Sequence, residues 1–259
     1  MGHIRLGELP RTRKWEQVVE LVKSDGDAAA VAAAALDAAE EGFKEAAEDE
    51  GLGQATWLLT QLPLAARDPN YLDRLRAIGV SVEGAPGLLE LVGAFTDAVD
   101  AQMRHAGGRT DLGEMAQMAA AETLTKVLGE RSRSLFGTAP ADVQRELAAL
   151  GTTKQFGTLA RDFFARLTRR YLTFFLSREL SNHVGGERRF ASIADHAEFN
   201  AALDLHCRQA SRIVEEFAGS WFSKTNWEQG ITPENVRGFA WVALKKLRAE
   251  LKKGGGAGR

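Results

Sequence analysis

Cysteine is almost absent from this 259-residue sequence, in which Cys207 is the single example. One thiol cannot form a disulfide within the chain, and it cannot supply a zinc site built from several cysteines. Proline is scarce as well, so few positions force a helix to stop. The lack of cysteine is typical of a protein from a reducing compartment, and we predict a cytoplasmic location.

Long hydrophobic runs are also missing. The longest apolar run, residues 28–36, is mostly alanine and falls well short of the ~20 residues that a membrane-spanning helix needs. Residues 1–9 lack the apolar centre of a secretory signal. We therefore expect neither a membrane span nor a leader peptide.

The common signatures of catalysis are missing too. The chain has no GxxxxGK[ST] loop for phosphate, no GxSxG elbow for a serine nucleophile and no HExxH zinc motif. The GLG at residues 51–53 lacks a preceding strand and a third glycine, which favours a turn between helices. His196 and His206 lie about 15 Å apart along one predicted helix, too far to share an ion. We expect no cofactor and no metal, and an enzyme with an unfamiliar helical active site stays an alternative.

The sequence is rich in the periodicity and punctuation of helices. Trp15, Val18, Val19 and Val22 follow the i, i+3, i+4, i+7 pattern of an amphipathic helix, and similar patterns recur along the chain. The predicted fold class is all-α, a multi-helix bundle of about nine or ten helices. Predicted helices cover residues 15–22, 27–49, 57–62 (disturbed at Pro63), 68–79, 86–107, 111–129, 138–151, 153–183, 192 to beyond 217, and 232–252.

Single residues predict where several of the helices begin. Asp27, Asp68 and Asp111 are predicted N-caps, and Ser192 with Asp195 is typical of a capped helix start. Residues 4–6 and 80–82 are the only segments that favour short strands. We predict one helical domain over residues 1–259, with 130–138 as the best place for a subdivision and 254–259 as a flexible tail.

Charge is distributed unevenly, although the net charge is only -2. Residues 1–150 carry 24 acidic and 15 basic side chains, whereas residues 151–259 carry 11 acidic and 18 basic ones. An acidic N-terminal part and a basic C-terminal part can attract each other, or each can simply face water. A third interpretation is that the basic part meets an acidic partner.

Residues 154–189 interleave aromatic side chains with arginines, a combination found in single-strand nucleic-acid sites and in protein interfaces. A helical wheel places Phe156, Phe163 and Tyr171 on one face, which predicts that most of the aromatics are core. The residues that we predict to bind a partner or nucleic acid are Arg161, Arg166, Arg169, Arg170, Arg178, Arg188, Arg189, Lys245, Arg248 and Lys252.

Three further predictions concern single positions. Arg170 and Arg178 fall about 40° to either side of the Phe156 direction, inside the apolar sector. Three outcomes are open: pairing with acids of this chain, an exit past the aromatics to water, or contact with a partner's acids or phosphates. We favour pairing with acids from residues 1–150. His206 lies on an apolar helix face and is predicted to be structural. Lys245 is expected on a basic outer face of the last helix, together with Arg248 and Lys252.

Four segments, residues 110–122 (TDLGEMAQMAAAE), 134–144 (SLFGTAPADVQ), 154–167 (KQFGTLARDFFARL) and 221–230 (WFSKTNWEQG), resemble those of an uncharacterised family of all-helical bacterial accessory proteins. The resemblance implies a component encoded beside its partners, in phage defence or DNA processing. Our leading hypothesis is a non-enzymatic interaction subunit of a larger protein assembly, with homo-oligomerisation left open. Nucleic-acid binding through the basic C-terminal half is the alternative.

Overall fold

The computed structural model describes residues 9–39, 46–131 and 139–256, and it confirms an all-α, multi-helix bundle. Within those ranges the only β feature is an isolated bridge between Val184 and Phe190, so the strand predicted at 80–82 is wrong. The segments 4–6 and 132–138 lie outside the described residues. The helices are α1 (Arg13–Lys23), α2 (Ala28–Ala38), α3 (Glu50–Ala66), α4 (Tyr71–Ala77), α5 (Leu88–His105), α6 (Asp111–Arg131), α7 (Pro140–Leu150), α8 (Thr153–Asn182), α9 (Ile193–Ala210), α10 (Arg212–Glu228) and α11 (Pro233–Gly256).

Two helices organise the packing. The long helix α8 packs against α6, α9 and α10, while α3 packs against α5, α6, α7 and α11. Phe156, Phe163 and Tyr171 of α8 are buried, and the Phe156 ring stacks on Phe222 of α10 with centroids 4.1 Å apart. The predicted aromatic core face is thus confirmed. Within the described ranges, each helix contributes buried apolar residues to one continuous cluster, which spans the acidic and the basic parts of the chain.

Glycine allows two pairs of helices to approach closely. A Cβ atom at Gly219 of α10 would overlap the carbonyl oxygen of Thr153 at the start of α8. At Gly157 of α8, a Cβ atom would lie 2.9 Å from the carbonyl oxygen of Glu215. The second close approach joins α3 to α6, where Gly51 faces Gly113. These contacts require the absence of a side chain, not the backbone freedom of glycine.

The predicted helix caps are partly confirmed. Asp27 accepts a hydrogen bond from Ala30 N at 2.7 Å, and Ser192 forms a reciprocal capping box with Asp195. The prediction for Asp111 is wrong, because Asp111 is already helical and the hydroxyl of Thr110 accepts from the amide of the third helical residue. The prediction for Asp68 is also wrong, because its carboxylate closes a turn onto Asn70 N before α4 begins.

Two long helices predicted from periodicity are interrupted. The helix predicted over 27–49 ends at Ala38, and a short 3-10 turn, Ala46–Glu48, precedes α3. The helix predicted to run from 192 beyond 217 breaks at Ser211, whose amide and hydroxyl both bond to the carbonyl oxygen of Cys207 at 3.1 and 2.7 Å. A serine that bonds to the preceding turn competes with regular helix continuation and bends the chain there.

Helix α3 is longer than its local sequence indicates. Pro63 lies inside it and is buried with its neighbours Leu59 and Leu62, so packing outweighs a local cost of about 3 kcal/mol. The GLG segment is the first turn of α3 and not a connection between helices. At the other end of the chain, α11 extends to Gly256, so residues 254–256 of the predicted tail are helical, and 257–259 lie outside the described residues.

Candidate interaction surface

Four of the five predicted binding arginines of α8 lie within contact distance of acids on neighbouring helices, namely Arg161, Arg166, Arg169 and Arg170. Arg161 Nη1 lies 2.8 Å from Glu215 Oε2 on α10. Arg169 Nε lies 3.4 Å from Asp204 Oδ1 on α9. Because the partners belong to α9 and α10, these charges fasten the surrounding helices to α8.

A denser network joins α8 to α6. Arg166 contacts Asp162 at 2.7 Å and Glu122 at 3.1 Å, and Arg170 pairs with Glu122 as well. Lys126 adds a contact of 3.4 Å to Asp162. Burial acts to raise the pKa of Asp162, but the hydrogen bond and charge of Arg166, with those of Lys126, hold that pKa below its usual value. The predicted internal pairing of Arg170 with an acid of residues 1–150 is therefore confirmed.

The expectation that Arg178 is buried is wrong, because its side chain is exposed. Its pairing with an acid of residues 1–150 stays a prediction. The arginine is near the C-terminal end of α8, where Leu176 and Leu180 still face the core. A helical wheel gives the direction of a side chain, but burial depends on whether another helix covers that direction.

The two arginines after α8 bond to main-chain oxygens. Arg188 donates to Asn182 O at 3.0 Å. Arg189 donates to Val22 O at 2.7 Å and to Gly26 O at 2.5 Å, which closes the C-terminal end of α1. Its guanidinium carbon also lies 4.7 Å from the ring centroid of Phe199. Burial lowers the pKa of Arg189, against the raising effect of nearby aspartates.

The three basic residues predicted on the outer face of α11 have different environments. The buried side of the helix places Val236, Phe239 and Leu247 in the core. Arg248 is half-buried and, with Lys252, pairs with Asp37 of α2, so Arg248 is not on the outer face. Lys245 is exposed.

His206 is half-buried and its Nε2 atom lies 3.3 Å from Leu251 O, a contact between α9 and α11. The fully buried position next to it belongs to Cys207, and burial raises the pKa of that thiol to about 12. A protonated, enclosed thiol is a poor nucleophile. Among the described residues, no three histidine, cysteine or acidic side chains are grouped so that they could hold a metal ion.

The outward side of α11 presents a second pattern, which the predicted site residues largely missed. Trp241 and Val242 are 36% and 40% exposed, and two exposed lysines follow them one turn later. At 100° per residue six of the exposed positions of α11 fall within one sector of about 140°. We call this surface the outer stripe of α11, and its members are Gly238, Trp241, Val242, Lys245, Lys246 and Ala249.

The base of the outer stripe is supported by aromatic packing. Phe239 stacks on Trp221 of α10 with ring centroids 4.2 Å apart, and Lys246 Nζ lies 5.6 Å from the ring centroid of Phe217. The helix that carries the stripe is therefore held firmly against α10. Helical spacing alone, read for the polar side of α11, could have found Trp241 and Val242.

Comparison with known proteins adds no relative, since no protein family model, no curated protein and no solved structure matches this chain. Across the ranges that the structure describes, none of the helices combines the length and apolar character needed to cross a bilayer.

Proposed function

We propose that this protein is a non-enzymatic interaction subunit that binds an acidic protein partner through the outer stripe of α11. The observation that carries the proposal is the exposed pair Trp241 and Val242, adjoining Lys245 and Lys246 on one rigid helix face. The four-segment resemblance to bacterial accessory proteins supports an assembly in phage defence or DNA processing as the setting.

The chemistry of the stripe suits a protein more than any other partner. Tryptophan is enriched among the residues that dominate binding energy, because it removes a large apolar area from water at little entropic cost. Exposed lysines beside it attract carboxylates and speed the encounter of oppositely charged surfaces. A partner that presents an apolar pocket bordered by Asp or Glu complements both features.

Nucleic-acid binding is less well supported by the same contacts. Six of the ten predicted residues, Arg161, Arg166, Arg169, Arg170, Arg248 and Lys252, pair with carboxylates of this chain. A phosphate backbone would have to compete with those carboxylates. Trp241 is partly packed, which makes it a weaker platform for stacked bases than a fully exposed ring.

The test is purification of the tagged chain from its native host, identification of bound proteins by mass spectrometry, and reconstitution with the partner found. We expect Trp241→Ala with Val242→Ser to weaken binding about 30-fold or more, the loss typical of an interface anchor. Lys245→Glu with Lys246→Glu should slow association and reduce its salt dependence.

Leu89→Ala is the matched control, because Leu89 is 82% exposed and lies on α5, away from the stripe. It should bind like the unaltered chain. Binding unaffected by the Trp241 and Val242 changes would refute the proposal. Recovery of nucleic acid that is lost only with the two lysines would support the alternative function instead.

A further inference from the structure

A cleft of about 600 Å³ lies between α3, the end of α4, α5 and the start of α11. Its volume is within the range of about 300–1,000 Å³ that is common for small-molecule sites. Helix α3 supplies one wall, with Glu50, Gly53, Gln54 and Trp57. These positions follow i, i+3, i+4, i+7 spacing, so they share one face of the helix.

An ion pair joins three sides of this cleft. Arg237 of α11 contacts Glu50 of α3 directly, and Gln102 of α5 donates its side-chain N–H to the other oxygen of Glu50 at 3.1 Å. The arginine and the glutamate side chains stay 42% and 34% exposed. Both charges are thus fixed in position and still accessible from the cleft.

Gly53 lies beneath the side chain of Arg237. A Cβ atom at Gly53 would be 3.5 Å from Arg237 Nε, so the arginine extends over the α3 backbone between Glu50 and Trp57. Trp57 forms the wall beyond it, and its buried indole N–H has no hydrogen-bond partner among the described residues.

We propose that this cleft binds a small zwitterion of the amino-acid or dipeptide class. The carboxylate of the ligand lies on the free N–H groups of Arg237, and its ammonium group lies on Glu50. A guanidinium has five N–H donors and a carboxylate has about four acceptor positions, so each retains capacity beyond their mutual contact. A simple anion is repelled by Glu50 and a simple cation by Arg237, whereas a zwitterion satisfies both charges.

The apolar part of the cleft holds the ligand side chain. Ile78, Ala98, Ala101 and Pro233 line it beside the charged residues. The available volume exceeds that of a single amino acid, which favours a bulky side chain or a second residue. Gln54 lies on the same α3 face and offers an amide to the ligand backbone.

The experiment is isothermal titration calorimetry of the full chain with each standard L-α-amino acid and with a set of dipeptides. We expect at least one to bind more tightly than about 1 mM. Its N-acetyl derivative, which lacks the ammonium group, and its amide, which lacks the carboxylate, should each bind at least tenfold more weakly, roughly the loss of one charged contact.

Variants locate the binding site. Arg237→Met and Glu50→Gln should each weaken binding at least about tenfold. Gly53→Leu should abolish it by filling the cleft, and circular dichroism checks that this variant remains folded. Arg208→Met removes an arginine of similar exposure that pairs with Asp204 on α9, outside the cleft, and should leave binding unchanged.

Three results would overturn the assignment. One is the absence of heat from every amino acid and dipeptide at concentrations up to about 10 mM. Another is equal binding of the N-acetyl derivative, which would make the cleft a carboxylate site only. The third is unchanged binding by a folded Gly53→Leu variant, which would place the ligand elsewhere.

Discussion

At the scale of single residues, Gly219 is a position that has no room for a side chain. Helices α8 and α10 touch through backbone at this position, and a methyl group would overlap the carbonyl oxygen of Thr153. We predict that Gly219→Ala lowers the free energy of unfolding by about 2 kcal/mol or more, because overpacking against backbone cannot be relieved by rotating a side chain. Urea denaturation followed by circular dichroism measures the change.

Gly93 on α5 is the matched control for that substitution. It is an exposed helical glycine, and a Cβ atom placed there meets nothing within 4 Å. Gly93→Ala should therefore stabilise the protein by about 0.5–1 kcal/mol through better helix propensity. Equal effects of the two alanine substitutions would contradict the close contact of α8 with α10.

The burial of a residue was predictable from the sequence only where it depended on the direction of its side chain around the helix axis. The wheel of α8 placed its aromatic face and Arg170 well, because α6 covers that side and supplies Glu122. The same wheel failed for Arg178, which is exposed. The cleft around Glu50 and Arg237 was not predictable, since the two residues are far apart in sequence and meet only through the packing of α3 on α11.

At the scale of helices, Asp162 of α8 belongs to the ion-pair network that joins α8 to α6. Its carboxylate is paired with Arg166 and Lys126, and its pKa is lowered from the usual value near 3.8. A carboxyl group whose pKa is lower in the folded protein stabilises the fold above its unfolded pKa. That contribution disappears as the pH falls from about 4 through the lower folded pKa.

We therefore predict that Asp162→Asn costs about 1 kcal/mol at pH 7 and progressively less below about pH 4. The measurement is urea unfolding of both proteins across a pH series. Asp73→Asn is the control, because Asp73 pairs with Arg76 at 3.0 Å but has a side chain that is 77% exposed. An Asp162→Asn effect that persists undiminished at acid pH would exclude the ionised pair as its cause.

Helices themselves were largely predictable, whereas their interruptions were not. Periodicity and capping residues identified the stretches that became α1, α5, α8 and α11. The break at Ser211 depends on one hydroxyl bonding to Cys207 O, a signal that periodicity does not contain. The unbroken course of α3 through Pro63 depends on tertiary burial, which outweighs local propensity.

At the scale of the whole molecule, the uneven charge of the sequence becomes a set of contacts between its two parts. Glu122 pairs with Arg166 and Arg170, Glu50 pairs with Arg237, and Asp37 meets both Arg248 and Lys252. The interpretation that the acidic and basic parts attract each other accounts for these pairs. Lys245 and Lys246 of the outer stripe face outward beside the exposed side chains Trp241 and Val242.

We expect the whole chain to unfold cooperatively. In the part of the chain that the structure describes, one continuous core includes residues from each helix, and ion pairs connect the acidic part to the basic part. Neither part can lose its structure without exposing apolar surface of the other, so we expect a single thermal transition with an unfolding enthalpy of about 180 kcal/mol near 60 °C. Differential scanning calorimetry should give equal calorimetric and van't Hoff enthalpies. Two resolved transitions, or a Gly219→Ala variant that shifts only one of them, would show that the chain contains two independently folding domains.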